Sequence, residues 1–211
     1  MVLVSILIAA GLLYLSFDKK ELSLLLYDKS RQHLMFGFSA FLTFLWSIQT
    51  SIHDGLYVHF LGLTACTLFL GPRLAIFSGL LALLINSALG QYAWSELGVH
   101  FICGVCIPVL SSYLVYVLSF YRLPRHFLVY VFVCGFLAGA LSIGCKMLSL
   151  SLYFSTLGPY DWSTVYDNYL ILFVLLAFPE ALLNGMATTL GIVYKPTWVR
   201  TFYDSQYLDD K

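Results

Sequence analysis

Charge is what this sequence has least of. Only 10% of its 211 residues are Asp, Glu, Lys or Arg, against 60% hydrophobic, and the mean hydropathy is +0.86. A soluble domain is nearer about a quarter charged, so the composition points to an integral membrane protein. Basic excess is lacking as well: 11 Lys and Arg stand against 11 Asp and Glu, and nothing suggests a nucleic-acid partner. The motif G-x-x-x-x-G-K-[ST] is absent, which excludes use of ATP through a P-loop by this chain alone. H-E-x-x-H and G-x-S-x-G are absent too, which argues against zinc-protease and hydrolase chemistry and for a protein that is not an enzyme. The five cysteines (Cys66, Cys103, Cys106, Cys134, Cys145) all fall inside apolar runs. They imply no disulfide framework and read as small apolar residues.

What is present is a series of long apolar runs. Seven candidate spans approach or cross a hydrocarbon core of about 30 Å: Met1–Phe17, His33–Gln49, Leu56–Leu70, Leu74–Gln91, Leu97–Phe120, Phe127–Phe154 and Asp167–Ile192. The first lacks the basic start and small-residue cleavage site of a signal peptide and reads as a retained helix. Gly71-Pro72-Arg73 makes a tight turn between the third and fourth. The third is short, so it is expected to begin in an irregular stretch or to enter the bilayer obliquely. The expected fold is an all-α polytopic membrane bundle of about seven helices, one transmembrane domain over 1–211 with a short tail at 193–211.

The cations give the orientation. Lys19, Lys20, Lys29, Arg31, Arg73, Arg122, Arg125, Lys195, Arg200 and Lys211 all fall on one side if the chain crosses seven times. The opposite connections carry Asp54, Glu96, Asp161 and Asp167 with no Lys or Arg. By the positive-inside rule the N-terminus is outside and the tail cytoplasmic, in a multi-pass protein of the inner (cell) membrane whose surroundings are the lipid bilayer.

The polar residues at the outer face then stand out. His53 and Asp54 precede His59 by a few residues, and His100 opens the fifth span at a similar depth. Imidazole is the commonest ligand for transition metals, and a carboxylate adds a third or fourth donor. His53, His59, His100 and Asp54 are therefore the candidate metal ligands, with interfacial histidines as the plain structural alternative. Tyr92 and Trp94 read as interfacial anchors. Glu180 and Lys146 lie within spans, where an ionisable group faces the bundle interior and finds a partner. Each reads either as a polar group on a permeation path or as an interhelical tie. Gly135-x3-Gly139 and Gly185 mark faces where helices, or a partner, approach closely.

Three blocks resemble a known family. His59-Phe-Leu-Gly, six residues, then Phe69-Leu-Gly-Pro-Arg-Leu-Ala is similar to the G-H-L-L-G…L-L-G-P-W-A-A signature of the CbiM/NikM family. Leu97-Gly-Val-His-Phe with Pro108 and Tyr113-Leu-Val resembles that family's L-G-A-N-V-F…G-P…G-Y-L-V. Pro179-Glu-Ala-Leu-Leu-Asn-Gly and Tyr194-Lys-Pro-Thr-Trp-Val resemble G-E-A-L-V-T-G…V-R-P-D-L-V. The similarity runs over about residues 34–200 and implies a substrate-capture subunit of an energy-coupling-factor transporter for cobalt or nickel ions. It also implies a transmembrane coupling subunit and cytoplasmic ATPase subunits as partners, and the ion as cargo, with no other cofactor. In that family an N-terminal Met-His binds the metal with the histidine that His59 matches. Here the chain opens Met1-Val2-Leu3-Val4, so only His59 is carried over. The expectation is capture of a divalent transition metal, of cobalt or nickel type or zinc or copper. Two alternatives stand beside it: a haem-binding or redox membrane protein, and an assembly protein that keeps the fold without metal transport.

Overall fold

The computed structural model describes residues 11, 25–203 and 207; the expected first span, Met1–Phe17, lies outside the described residues apart from Gly11. Among the described residues the structure is helical, with one isolated antiparallel bridge, Thr50 to Val58, and no strand. Among the described residues, three helices are long and apolar enough to cross a membrane: Trp94–Arg122, Phe127–Thr156 and Trp162–Tyr194, of 29, 30 and 33 residues. Their lipid-directed faces are oily, as Phe132, Val174, Leu175 and Phe178 on the outside of the bundle show. Polar groups turn inward, where backbone donors and acceptors must be satisfied within the protein.

Helix α1 (Lys29–Ser47) starts where the Asp28 carboxylate accepts the Ser30 and Arg31 N–H groups at 3.0 and 3.2 Å, an N-cap of ordinary kind. Its buried stripe, Met35, Ser39, Leu42 and Trp46, follows the three-to-four-residue spacing of one helix face. α1 packs on the helix Pro72–Ala88.

The third expected span is a half-helix. Residues 48–62 form an irregular loop that runs into the bundle, and only Leu63–Leu70 (α2) is helical. Gly62 enters α2 at φ +66° and Gly71 leaves it at φ +82°, the left-handed region that glycine adopts without strain. Pro72 then opens α3 (Pro72–Ala88), where its missing N–H is not needed.

A helix of eight residues beginning inside the bundle leaves its first N–H groups without partners. Two residues of the long final helix supply them. Glu180 accepts the Leu61 and Gly62 N–H groups, each at 2.8 Å, and Asn184, one turn on, accepts the Ala65 N–H at 2.8 Å. The other end of α2 is closed by the C-terminal segment. Thr201 donates its N–H and hydroxyl to the Leu68 carbonyl at 3.2 and 2.8 Å, and Arg200 donates to the Phe69 and Leu70 carbonyls. The expected tail thus packs on the bundle, where Phe202 and Tyr207 both meet the Tyr130 ring.

The remaining long helices among the described residues are α4 (Trp94–Arg122), α5 (Phe127–Thr156) and α6 (Trp162–Tyr194). A π-helical stretch, Ile102–Cys106, lies in α4 just before Pro108; a proline cannot donate to the preceding turn, and the wider turn absorbs the defect. The small-residue stripe serves the interior. A Cβ at Gly139 would lie 3.2 Å from the Ala181 Cα, and one at Gly135 would lie 3.3 Å from the Gly185 Cα, so α5 and α6 meet almost backbone to backbone.

Candidate functional site

His59 sits in the irregular run just before α2, at the end of the bundle whose described loops lack Lys and Arg. Its position follows from its neighbours in sequence. Glu180 holds the backbone amides of Leu61 and Gly62 just downstream, and the Trp46 indole N–H donates to the Leu61 carbonyl at 3.0 Å. The backbone is therefore fixed on both edges, and the imidazole is buried at 6% exposure.

The ring's two nitrogens have different work. Nδ1 lies 2.9 Å from the Phe60 carbonyl oxygen, so Nδ1 carries the proton and Nε2 keeps its lone pair. Two donors converge on that lone pair. The Lys146 ammonium lies 2.7 Å away and the Tyr92 hydroxyl 3.0 Å away. Lys146, 2% exposed on α5, also donates to the Tyr57 carbonyl at 3.4 Å. Glu180's hydrogen bonds go instead to backbone amides and to Asn184.

His100 belongs to the same cluster. Its ring centroid lies 5.0 Å from that of Tyr92 and 5.4 Å from that of Tyr57, and those two tyrosines meet edge to face at 4.8 Å. It is 3% exposed, and its Nε2 has no hydrogen-bond partner among the described residues; the Glu96 carboxylate is 3.6 Å away. A buried nitrogen left without a partner in a native structure calls for an explanation such as an ion or water.

His53 and Asp54 have other neighbours. The His53 ring lies 5.0 Å from the Tyr160 ring, and the Asp54 carbonyl accepts the Tyr160 hydroxyl at 3.1 Å, leaving the Asp54 side chain exposed. Among the described residues, no three His, Cys, Asp or Glu side chains come together to hold one metal ion. The four expected ligands are thus not assembled in this conformation.

One expectation needs correction, and one choice left open by the sequence is decided, each for a physical reason. Tyr92 is no interfacial anchor: it is 4% exposed and its hydroxyl is spent on His59, whereas Trp94, at 60% exposure, keeps that role. Lys146 ties to His59 rather than to Glu180, because the half-helix amides already satisfy the carboxylate. Span counting gives no signal for this pair: it puts His59 three residues, and Lys146 eight residues, from the outer ends of their expected spans, and it does not say which face of its helix Lys146 occupies.

Two solved structures resemble this fold at 22% identity. A truncated transition metal transporter aligns with a TM-score of 0.66 over 90% of this chain and 89% of its own. A second transition metal transporter aligns with a TM-score of 0.64 over 92% of this chain and 84% of its own. No curated protein matches by sequence. The sequence does match a family profile over residues 1–198, nearly its whole length, and the chain belongs to that family, CbiM, the cobalt uptake substrate-specific transmembrane region.

Proposed function

We propose that this protein is the substrate-capture subunit of a metal-uptake system in the cell (inner) membrane. Its N-terminus is outside and its tail cytoplasmic, a reading supported by the one-sided distribution of Lys and Arg. The cargo is a divalent transition-metal ion, of cobalt or nickel type or zinc or copper, ions that imidazole suits. One observation carries this reading: His59 is held buried with Nδ1 committed to the Phe60 carbonyl and Nε2 turned into the cluster. A hydrogen bond on one ring nitrogen is what orients a metal-binding histidine and fixes its tautomer. His100 supplies a second nitrogen, with Glu96 beside it. His53 and Asp54 line the loop above, where an arriving cation meets them first, and complete the ligand set if the loop closes.

The role is transport rather than catalysis. The chain has no nucleotide-binding motif, so release inward needs a transmembrane coupling subunit driven by cytoplasmic ATPase subunits. The test is calorimetry of the purified protein with nickel, cobalt, zinc and copper ions, beside His59→Ala. The reading expects a saturable micromolar site in the wild type, weakened about tenfold or more by the substitution. Absence of binding by both proteins would sink it.

One observation favours a second reading, in which the same fold serves assembly without cargo: the Lys146 ammonium already sits on the His59 nitrogen. Stable co-purification with membrane partners by a protein that binds no metal would support it.

A further inference from the structure

The hydrogen bond from Lys146 to His59 has a bearing on cargo that an ordinary buried ion pair lacks. A metal bond to imidazole uses the ring's one available lone pair, at about 2.0–2.1 Å for zinc. In His59 that lone pair is on Nε2, since Nδ1 is occupied by the Phe60 carbonyl. The Lys146 ammonium, 2.7 Å from Nε2, takes the lone pair and places a positive charge where the ion would stand. Tyr92 donates to the same atom from another side. The groups that meet the ammonium are the Tyr57 carbonyl and the His59 imidazole. The polar environment that would stabilise a bound cation therefore surrounds one that is covalently tethered.

We infer that Lys146 is a tethered competitor for the cargo at His59. It holds the cluster together in the empty protein, and a metal ion binds only as the ammonium withdraws from Nε2, so Lys146 sets the affinity of the site. The inference rests on His59 being a cargo ligand and specifies what opposes it.

The experiment is calorimetry with zinc and nickel ions on the full chain, comparing wild type, Lys146→Met, Lys146→Arg and the double variant Lys146→Met/His59→Ala. Losing a charge-assisted hydrogen bond that competes with the ion tightens binding by about 10- to 100-fold in Lys146→Met. Lys146→Arg keeps the charge and binds no tighter than wild type, and the double variant loses the gain. Wild-type binding that Lys146→Met leaves unchanged or weakens overturns the competitor role while metal capture stands. Binding by none of the four proteins overturns capture at His59 as well. Nitrogen NMR of the wild type gives a reading that needs no substitution: the coupling between the Lys146 ammonium and His59 Nε2 is lost as zinc saturates the protein. Its persistence at saturation overturns the inference.

Discussion

Glu180 closes the amino end of a helix 118 residues earlier in the chain: its Oε1 accepts the Gly62 N–H at 2.8 Å, while Oε2 accepts that of Leu61. A buried carboxylate in a membrane bundle is expensive unless its oxygens are satisfied. Here three N–H donors satisfy it, and in return it fixes the backbone two residues from His59. Stability and site geometry therefore depend on the same side chain.

Glu180→Ala leaves two buried amides without an acceptor, each worth about 1–3 kcal/mol, and so destabilises the protein by roughly 2–6 kcal/mol. Glu180→Gln keeps one carbonyl oxygen and loses less. Thermal unfolding in detergent reads the order wild type, Gln, Ala. Equal melting of all three proteins would contradict the capping role.

At the opposite end of α2, Thr201→Val keeps the shape of the side chain. It removes the hydroxyl that donates to the Leu68 carbonyl at 2.8 Å and meets the Tyr130 hydroxyl at 2.5 Å. Losing one or two such bonds costs about 1–3 kcal/mol, seen as a lower melting temperature. A change within error would show that the Thr201 hydroxyl does not help to hold the half-helix.

The candidate ligands separate by position. His59 and His100 share Tyr92 as a neighbour, whereas His53 and Asp54 lie against Tyr160. His100→Ala should weaken zinc binding about tenfold or more, as loss of a ligand or its support does. His53→Ala and Asp54→Ala should change the association rate and its salt dependence more than the affinity, as charges on an approach path do. Calorimetry with stopped-flow kinetics, with His59→Ala alongside, checks this. An equal loss of affinity in all four variants would instead mean that the loop carrying His53 and Asp54 closes on the ion.

Asp161 caps the start of α6, accepting from the Thr164 N–H and hydroxyl and from the Ser163 hydroxyl. These bonds favour the charged form and hold its carboxyl well below the usual carboxylate range. A depressed folded-state pKa gives stability that is present above the unfolded value of about 3.9 and lost as pH falls toward the folded one. Melting of the wild type should therefore decline on acidification below about pH 4, with a smaller decline in Asp161→Asn. The same decline in both would assign the acid sensitivity to other carboxylates.

The long helices are legible in the amino-acid sequence to within a few residues, because a lipid-facing surface constrains composition over a full span. Hydropathy also marks Leu56–Leu70 as too short, and helix there begins only at Leu63. His59 stands out as an imidazole in an apolar context. Long-range pairing is not legible in the same way. The grip of Glu180 on Gly62 and of Lys146 on His59 spans 118 and 87 residues, and no local periodicity encodes which face of one helix meets which loop. Tyr92 departs from its expected place for the same reason: an aromatic near a membrane surface looks alike in sequence whether it turns to lipid or inward.

The most direct measurement is X-ray absorption at the zinc edge on zinc-loaded full-length protein, wild type beside His59→Ala. The account predicts imidazole nitrogen at about 2.0–2.1 Å, with the imidazole contribution reduced in the variant. A wild-type spectrum with oxygen ligands alone, unchanged by removing His59, would contradict it.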